Sequence, residues 1–202
     1  MSGIAINGRY LTQGTTGVQR FATEIVVAAD ALAARGAWPA ARILHPAGAR
    51  EAGLTAFRAE PIGRRGGQAW EQLDLPGALR GDFLVNLGNT APLRVGARQA
   101  VVIHDAGAFD TPDSYSFAFR TWYRLMQKRL ARSGARLLTV SEFSRGRIAA
   151  ALGVEPATIG IVPESGEHIR HVAADGTVLA RHRLSPARYA LVVGNPAAHK
   201  NL

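Results

Sequence analysis

Ala100-Val101-Val102-Ile103-His104-Asp105 decides how the rest of this 202-residue chain is read. Four apolar residues run without a polar break, and a histidine and an aspartate follow at once. A short β-branched run of this kind suits a strand buried on both faces, as in a parallel sheet covered by helices. Such sheets bind their ligands outside the carboxyl ends of the strands. His104 and Asp105 therefore stand at the ligand-facing edge.

Working downstream, residues 109–113 read as a turn around Pro112, and residues 115–132 as a helix ended by Gly134. A strand follows over 136–140. Ser141 is placed to cap a helix over 142–152, which Gly153 closes. A strand over 159–162 runs into Pro163, a loose helix covers 176–183, and a last strand is predicted over 189–193, before Gly194-Asn195-Pro196. Upstream, a buried strand over 82–87 leads into the polar turn Gly88-Asn89-Thr90-Ala91-Pro92. Trp70, Leu73 and Leu75 suggest a short helix ending before Pro76, after a loop over 63–67. A short strand is expected within 57–62, with a weak helix or loop before it. A strand over 41–45 ends at Pro46. The chain opens with a strand over 4–7, a Gly/Thr-rich loop over 8–17, and a helix that Thr16 and Gln19 cap at capping-box spacing. Val18, Phe21, Ala22, Ile25, Ala29 and Leu32 line one face of that helix, and Gly36 terminates it. Strand and helix alternate throughout, which predicts an α/β fold built on a doubly wound, mostly parallel sheet.

Composition bounds the rest. Hydrophobic residues make up 47% of the chain, enough for a core, and the absence of cysteine excludes disulfides and thiolate metal sites. Residues 1–6 have neither the basic start nor the apolar core of a signal peptide. No run approaches the roughly 18 apolar residues that span a bilayer. A cytoplasmic location is expected. Lys+Arg 24 against Asp+Glu 15 gives a net charge of +9, and Lys128 and Lys200 are the only lysines. That balance fits anionic partners such as phosphorylated substrates or an acidic membrane surface, and equally an arginine-rich coding bias.

Four features carry candidate chemistry. Gly14-Thr15-Thr16-Gly17 lies between the first strand and a helix, where glycines let a ligand approach the backbone and the helix N-terminus favours an anion. It is neither G-x-G-x-x-G nor a P-loop, so dinucleotide and nucleoside triphosphate binding are disfavoured, and an ordinary capped βα loop has the same spelling. His104-Asp105 suits an acid/base pair, ligand contacts, or a buried histidine tied to backbone; metal binding needs more partners, and none is nominated. Arg120, Arg124, Lys128 and Arg132 recur every four residues beside an apolar stripe of Phe119, Trp122, Met126 and Leu130. This describes a sheet-covering helix with a solvated basic face, or a helix touching acidic head groups. No groove-reading motif accompanies the charge, so nucleic acid is not expected. Ser141 and Arg145 open a helix at the same sheet edge, and Gly194 and Lys200 flank a late strand–turn in which a lysine suits a diphosphate.

Taken in order, these stretches resemble glycosyltransferase family 4, retaining enzymes of the GT-B fold. The resemblance rests on the Asn7–Arg20 loop sequence Asn7-Gly8-Arg9-Tyr10-Leu11-Thr12-Gln13-Gly14-Thr15-Thr16-Gly17-Val18-Gln19-Arg20, on Trp70-Glu71-Gln72-Leu73-Asp74-Leu75-Pro76, and on Asn86-Leu87-Gly88-Asn89-Thr90-Ala91-Pro92. Val102-Ile103-His104-Asp105, Leu138-Thr139-Val140-Ser141-Glu142-Phe143-Ser144-Arg145, Ile161-Val162-Pro163, and Val193-Gly194 through Lys200-Asn201-Leu202 complete the set. It looks most like the branch that builds bacterial surface polysaccharides, often mannosyltransferases.

The resemblance implies a Rossmann-like N-terminal domain over 1–166 on the acceptor side, a linker over 167–187, and the first strand of a donor-binding domain over 188–202. It implies transfer of a hexose, mannose by analogy, from a nucleotide diphosphate sugar to a saccharide or lipid-linked acceptor, with no cofactor beyond that substrate and no metal. His104 would contact the transferred sugar as the catalytic-site residue. Gly14, Gly17, Asn89, Asp105, Ser141, Arg145, Gly194 and Lys200 would border donor or acceptor. The family's two-glutamate donor motif is absent, so the chain is expected to hold the acceptor half and to be inactive alone. Contact with the inner membrane through the basic stripe, and a dimer through the open cleft face, are compatible with that expectation. Two departures stand out. Asn195 replaces the usual Arg or Ser, and Glu164-Ser165-Gly166-Glu167 replaces Asn-Gly-Val-Asp. The alternative reading is a non-catalytic module that binds an acidic membrane or a protein partner.

Overall fold

A computed structural model describes residues 3–194. Among them, seven parallel strands form one sheet in the order β3-β2-β1-β4-β5-β6-β7. The strands are β1 (Ile4–Asn7), β2 (Ala41–His45), β3 (Arg58–Pro61), β4 (Phe83–Asn86), β5 (Gln99–Val102), β6 (Arg136–Thr139) and β7 (Gly160–Ile161). The fold is Rossmann-like and doubly wound, with helices on both faces of the sheet. Strand order reverses between β1 and β4, so the crevice of this sheet opens beyond Asn7 and Asn86.

Side chains alternate across each strand, and the two faces bury separate cores. Ile6, Ile43 and Val102 face helix α1 (Gly17–Ala34) and its Phe21 and Val26. Ala5, Leu44 and Leu84 face a second layer through Trp70, Leu75 and Leu79. Val101, Ile103 and Leu137 face Met126, Leu130 and Ile148 on that same side. Met126 and Leu130 lie on α5 (Phe117–Arg132) and Ile148 on α6 (Glu142–Leu152), the helices on either side of β6. Helix α1 begins with the expected capping box, Thr16 against Gln19. Phe21, Ala22, Ile25 and Ala29 of the expected face pack in this core with Val26, Asp30 is buried as well, and Leu32 is 37% exposed.

Several expectations are corrected. Residues 8–17 are not all loop: Gly8–Thr12 forms a 3-10 turn capped by the side chain of Asn7. The helical segment around Trp70 does not stop before Pro76. It begins as α2 (Gly67–Ala69), widens into a π turn over Trp70–Asp74, and continues as α3 (Leu75–Ala78). Leu75 N–H reaches back to the Trp70 carbonyl, five residues away. The widened turn lets the chain carry a proline, which brings no N–H, at the start of the next turn. The 109–113 segment is helical in two short pieces, α4 (Gly107–Asp110) and the turn Pro112–Ser114. Helix α5 starts at Phe117 with Ser116 as its cap, leaving Tyr115 outside. The strand expected over 189–193 is not observed: among the described residues these pair with no strand, and Leu191, Val192 and Val193 are 78%, 62% and 89% exposed. A strand needs a partner ladder, and β-branched residues alone do not supply one. The loose helix is present as α7 (Val178–Arg181). Among the described residues no helix is long and apolar enough to cross a membrane.

Candidate functional site

The site is built where β1, β4 and β5 end. Asn7 and Asn86 each close an apolar strand with a buried amide, and these amides face each other: Asn7 Nδ2 donates to Asn86 Oδ1 at 2.9 Å. Asn7 Nδ2 also donates to Glu71 Oε1 at 2.7 Å. Arg9 joins from the 3-10 turn, its Nε donating to Glu71 Oε1 at 3.1 Å and its Nη2 to Thr90 Oγ1 at 2.6 Å. Thr90 Oγ1 donates in turn to Glu71 Oε1 at 2.9 Å. Asn86 passes the network to β5 through Gln99 Oε1 and the Ala100 carbonyl. Arg9 and Glu71 are 10% and 1% exposed at the side chain, so this ion pair is stabilised by its hydrogen bonds more than by charge alone.

The π turn gives this network its reach. It turns Glu71 and the neighbouring Gln72 toward the Gly88–Pro92 turn. Gln72 Nε2 donates to the Ala91 carbonyl at 3.0 Å, and Gln72 Oε1 accepts from Leu93 N–H at 3.0 Å. That turn needs a residue at positive φ, which Asn89 supplies at 60°. Asn89 N–H donates to the Val102 carbonyl at 2.9 Å, and its side-chain oxygen accepts from His104 N–H at 2.7 Å.

His104 is thereby fixed at the end of β5. Its ring is 6% exposed and meets the Phe21 ring edge-on, with centroids 4.8 Å apart. Nε2 lies 3.0 Å from the Leu87 carbonyl oxygen and Nδ1 lies 3.4 Å from Glu164 Oε1. A ligand group that reaches Nδ1 must displace the Glu164 carboxylate, which is 57% exposed. The contact with the Leu87 carbonyl is that of the buried-histidine reading.

The other expected residues fall as follows. Gly14 and Gly17 are exposed, and a Cβ at either would meet nothing within 4 Å, so packing does not demand glycine there and the loop is open to an approaching molecule. Asp105 is exposed, and its Oδ1 accepts from Gly107 N–H at 2.7 Å at the start of α4. Ser141 caps α6, its Oγ accepting from Ser144 N–H at 3.1 Å. Arg145 pairs with Glu142 one turn earlier. Gly194 is exposed and apart from the sheet edge's hydrogen bonds, and Lys200 lies outside the described residues. The basic stripe divides. Arg120 Nη1 donates to the Pro112 carbonyl at 3.3 Å, and Arg124 Nε donates to the Ala108 carbonyl at 2.7 Å. These two brace the α4 segment, while Lys128 and Arg132 are exposed.

Asn7, Arg9, Glu71, Asn86 and Thr90 were not nominated from sequence as site residues. Their signal was present: a polar residue closing each of two apolar strands, and Glu71 next to a tryptophan that is fully buried and donates to the Ile62 carbonyl at 2.7 Å. Tyr123 of α5 lies against Arg9 and Glu71, and its phenol is pushed up from its ordinary range, chiefly by burial. Beside this edge, a groove of about 480 Å³ separates α1 from residues 163–168, with Phe21 and Ile25 on one wall and Glu164 and His168 on the other. Among the described residues no group of three or more His, Cys, Asp or Glu side chains is placed to hold a metal ion. No family model matches the chain, and no curated protein matches it.

Proposed function

We propose that the chain is the acceptor-side domain of a retaining glycosyltransferase of family 4 type, with the GT-B arrangement. It would transfer a hexose, mannose by analogy, from a nucleotide diphosphate sugar to a saccharide or lipid-linked acceptor in cell-surface polysaccharide biosynthesis. The observation that supports this reading is the carboxyl edge itself. His104, the exposed Gly14–Gly17 loop and the Asn89 turn all stand on the ligand side of a doubly wound sheet.

In this reading His104 Nδ1 accepts from, or donates to, a hydroxyl of the transferred sugar once Glu164 has moved aside. Asn89 holds the His104 backbone, and Phe21 holds the plane of its ring. Helix N-termini and basic side chains stabilise the charge that develops on the leaving diphosphate. The enzyme would work in the cytoplasm, at the inner face of the membrane. Exposed Lys128 and Arg132 at one end of α5, and the 72%-exposed Phe117 at its other end, suit a peripheral contact with anionic head groups.

The test is hexose transfer by the full-length protein from guanosine diphosphate mannose to a lipid-linked saccharide. The reading predicts turnover that falls by at least about 100-fold in His104→Ala. Unchanged turnover in that variant would remove His104 from the site, and absence of transfer with any nucleotide sugar would remove the reading.

A further inference from the structure

Between α1 and residues 50–54, beside the Gly8–Thr12 turn, lies a second cavity, of about 220 Å³. Arg50 stands on its wall with no carboxylate partner among the described residues. Although Arg50 is exposed, its guanidinium is held in place. Nε donates to the Leu11 carbonyl at 3.3 Å, Nη1 to Thr15 Oγ1 at 2.9 Å and Nη2 to the Tyr10 carbonyl at 3.5 Å. Each Nη carries two N–H groups, so one on each is left over. A fixed, planar cation with donors to spare pairs well with a carboxylate. Arg20 of α1 adds a second positive charge to the same wall. Its pair with Glu24 is weak, at 3.4 Å between side chains 51% and 38% exposed. Against these stands one acid, Glu51, which is exposed and pairs with neither arginine. The Tyr10 phenol adds no charge, because burial, opposed in part by Arg50, pushes it up to about 12. Leu11, Val26, Val27 and Leu54 give the cavity apolar surface. It is smaller than the roughly 300–1,000 Å³ of sites for drug-sized ligands, so it suits a short chain.

We propose that this cavity binds a small aliphatic carboxylate, its carboxylate on Arg50 and its chain against Val26, Val27 and Leu54. Inorganic phosphate offers the charge without the chain, and an alcohol offers the chain without the charge, so each meets only part of the wall. Arg50 also holds Thr15 of the Gly14–Gly17 loop, so the bound acid sits against the segment that leads into α1. The site goes beyond the transferase reading and does not depend on it.

The experiment is a backbone amide-shift titration of the full chain with sodium hexanoate, run in parallel with hexan-1-ol and with inorganic phosphate at the same pH and ionic strength. Saturable changes at Thr15, Thr23, Glu51 and Leu54 are expected with hexanoate at concentrations up to about 10 mM. The alcohol and phosphate are expected to bind at least about tenfold more weakly. Arg50→Met is expected to weaken hexanoate by about tenfold or more. If thermal melting shows that Arg50→Met does not fold, Val27→Glu decides, with the same expected weakening. Val27 is 45% exposed on α1, so the fold accepts a carboxylate there, and that carboxylate opposes the anion. No saturable hexanoate binding, equal binding of hexan-1-ol or phosphate, or wild-type affinity in the deciding variant overturns the proposal. Failure of hexose transfer would count against the transferase reading and leave the hexanoate result standing, and the reverse also holds.

Discussion

His104 Nδ1 faces Glu164 Oε1 at 3.4 Å, while the other ring nitrogen faces the Leu87 carbonyl oxygen at 3.0 Å. Both neighbours are acceptors, and a neutral imidazole has one N–H to offer. The shorter contact predicts an N–H on Nε2, toward the Leu87 carbonyl. In the proposed reading, a sugar hydroxyl would take the place of Glu164 at Nδ1. Imidazole nitrogen chemical shifts are expected to show the Nε2–H tautomer. Glu164→Ala is expected to change the melting temperature by less than about 2 °C, because Glu164 is 57% exposed and its contact with His104 is long, at 3.4 Å. A larger loss would mean that Glu164 is structural.

The Arg9–Glu71 pair behaves in the opposite way. Glu71→Ala leaves Asn7, Arg9 and Thr90 facing a buried gap without their shared acceptor, and breaking a buried pair costs about 3–5 kcal/mol. Urea unfolding of Glu71→Ala is expected to show a loss in that range. A loss under about 1 kcal/mol would show that the network repacks.

Asp30 makes the acid side of stability predictable. It is buried on α1, and its carboxylate accepts from Thr55 N–H and Oγ–H and from the N–H groups of Ala56 and Phe57. Burial by itself raises its pKa. The hydrogen bonds to Thr55, Phe57 and Ala56 outweigh that and lower it to about 2. A lowered folded pKa contributes stability that is present above the unfolded value, near 3.8, and is lost as pH falls through about 2. The contribution at neutral pH is about 2 kcal/mol. Asp30→Asn is expected to lose most of it at pH 7 and to show a smaller difference from wild type at pH 2. Equal destabilisation at both pH values would contradict this account.

Gly63 is required by conformation and by space. Its φ is +70°, and a Cβ there would lie 2.2 Å from Asp74 Oδ2. Asp74 in turn accepts from Arg64 and Arg65 N–H at 3.1 and 3.0 Å, holding the loop onto the helical segment that carries Glu71. Gly63→Ala is expected to cost about 2 kcal/mol, read from denaturant unfolding. A neutral substitution would show that Asp74 can swing away.

How much of this was legible in the sequence follows from which interactions are local. The strands over 4–7 and 41–45, the one expected over 100–103 (observed as Gln99–Val102), and the caps at Thr16, Ser141 and Gly153 were legible because apolar runs and capping residues act within a few positions. The His104 edge was legible for the same reason. The π turn through Pro76 was not, because its cause is the fit of Glu71 and Gln72 to a turn 19 to 21 residues away. The strand expected over 189–193 fails on the same ground: local β preference was read, but pairing is non-local. Arg120 and Arg124 looked like a solvated stripe, and their carbonyl partners at Pro112 and Ala108 are visible only once α4 folds back.

The most direct test of the central claim is a map of backbone amide shifts in the full chain on adding methyl α-D-mannopyranoside and, separately, guanosine diphosphate mannose. The account predicts changes concentrated at the carboxyl edge, at Gly14, Gly17, Gly88, Asn89 and His104, with residues at the amino ends of the strands unaffected. Saturating amounts of both compounds that leave those five amides unmoved would contradict it.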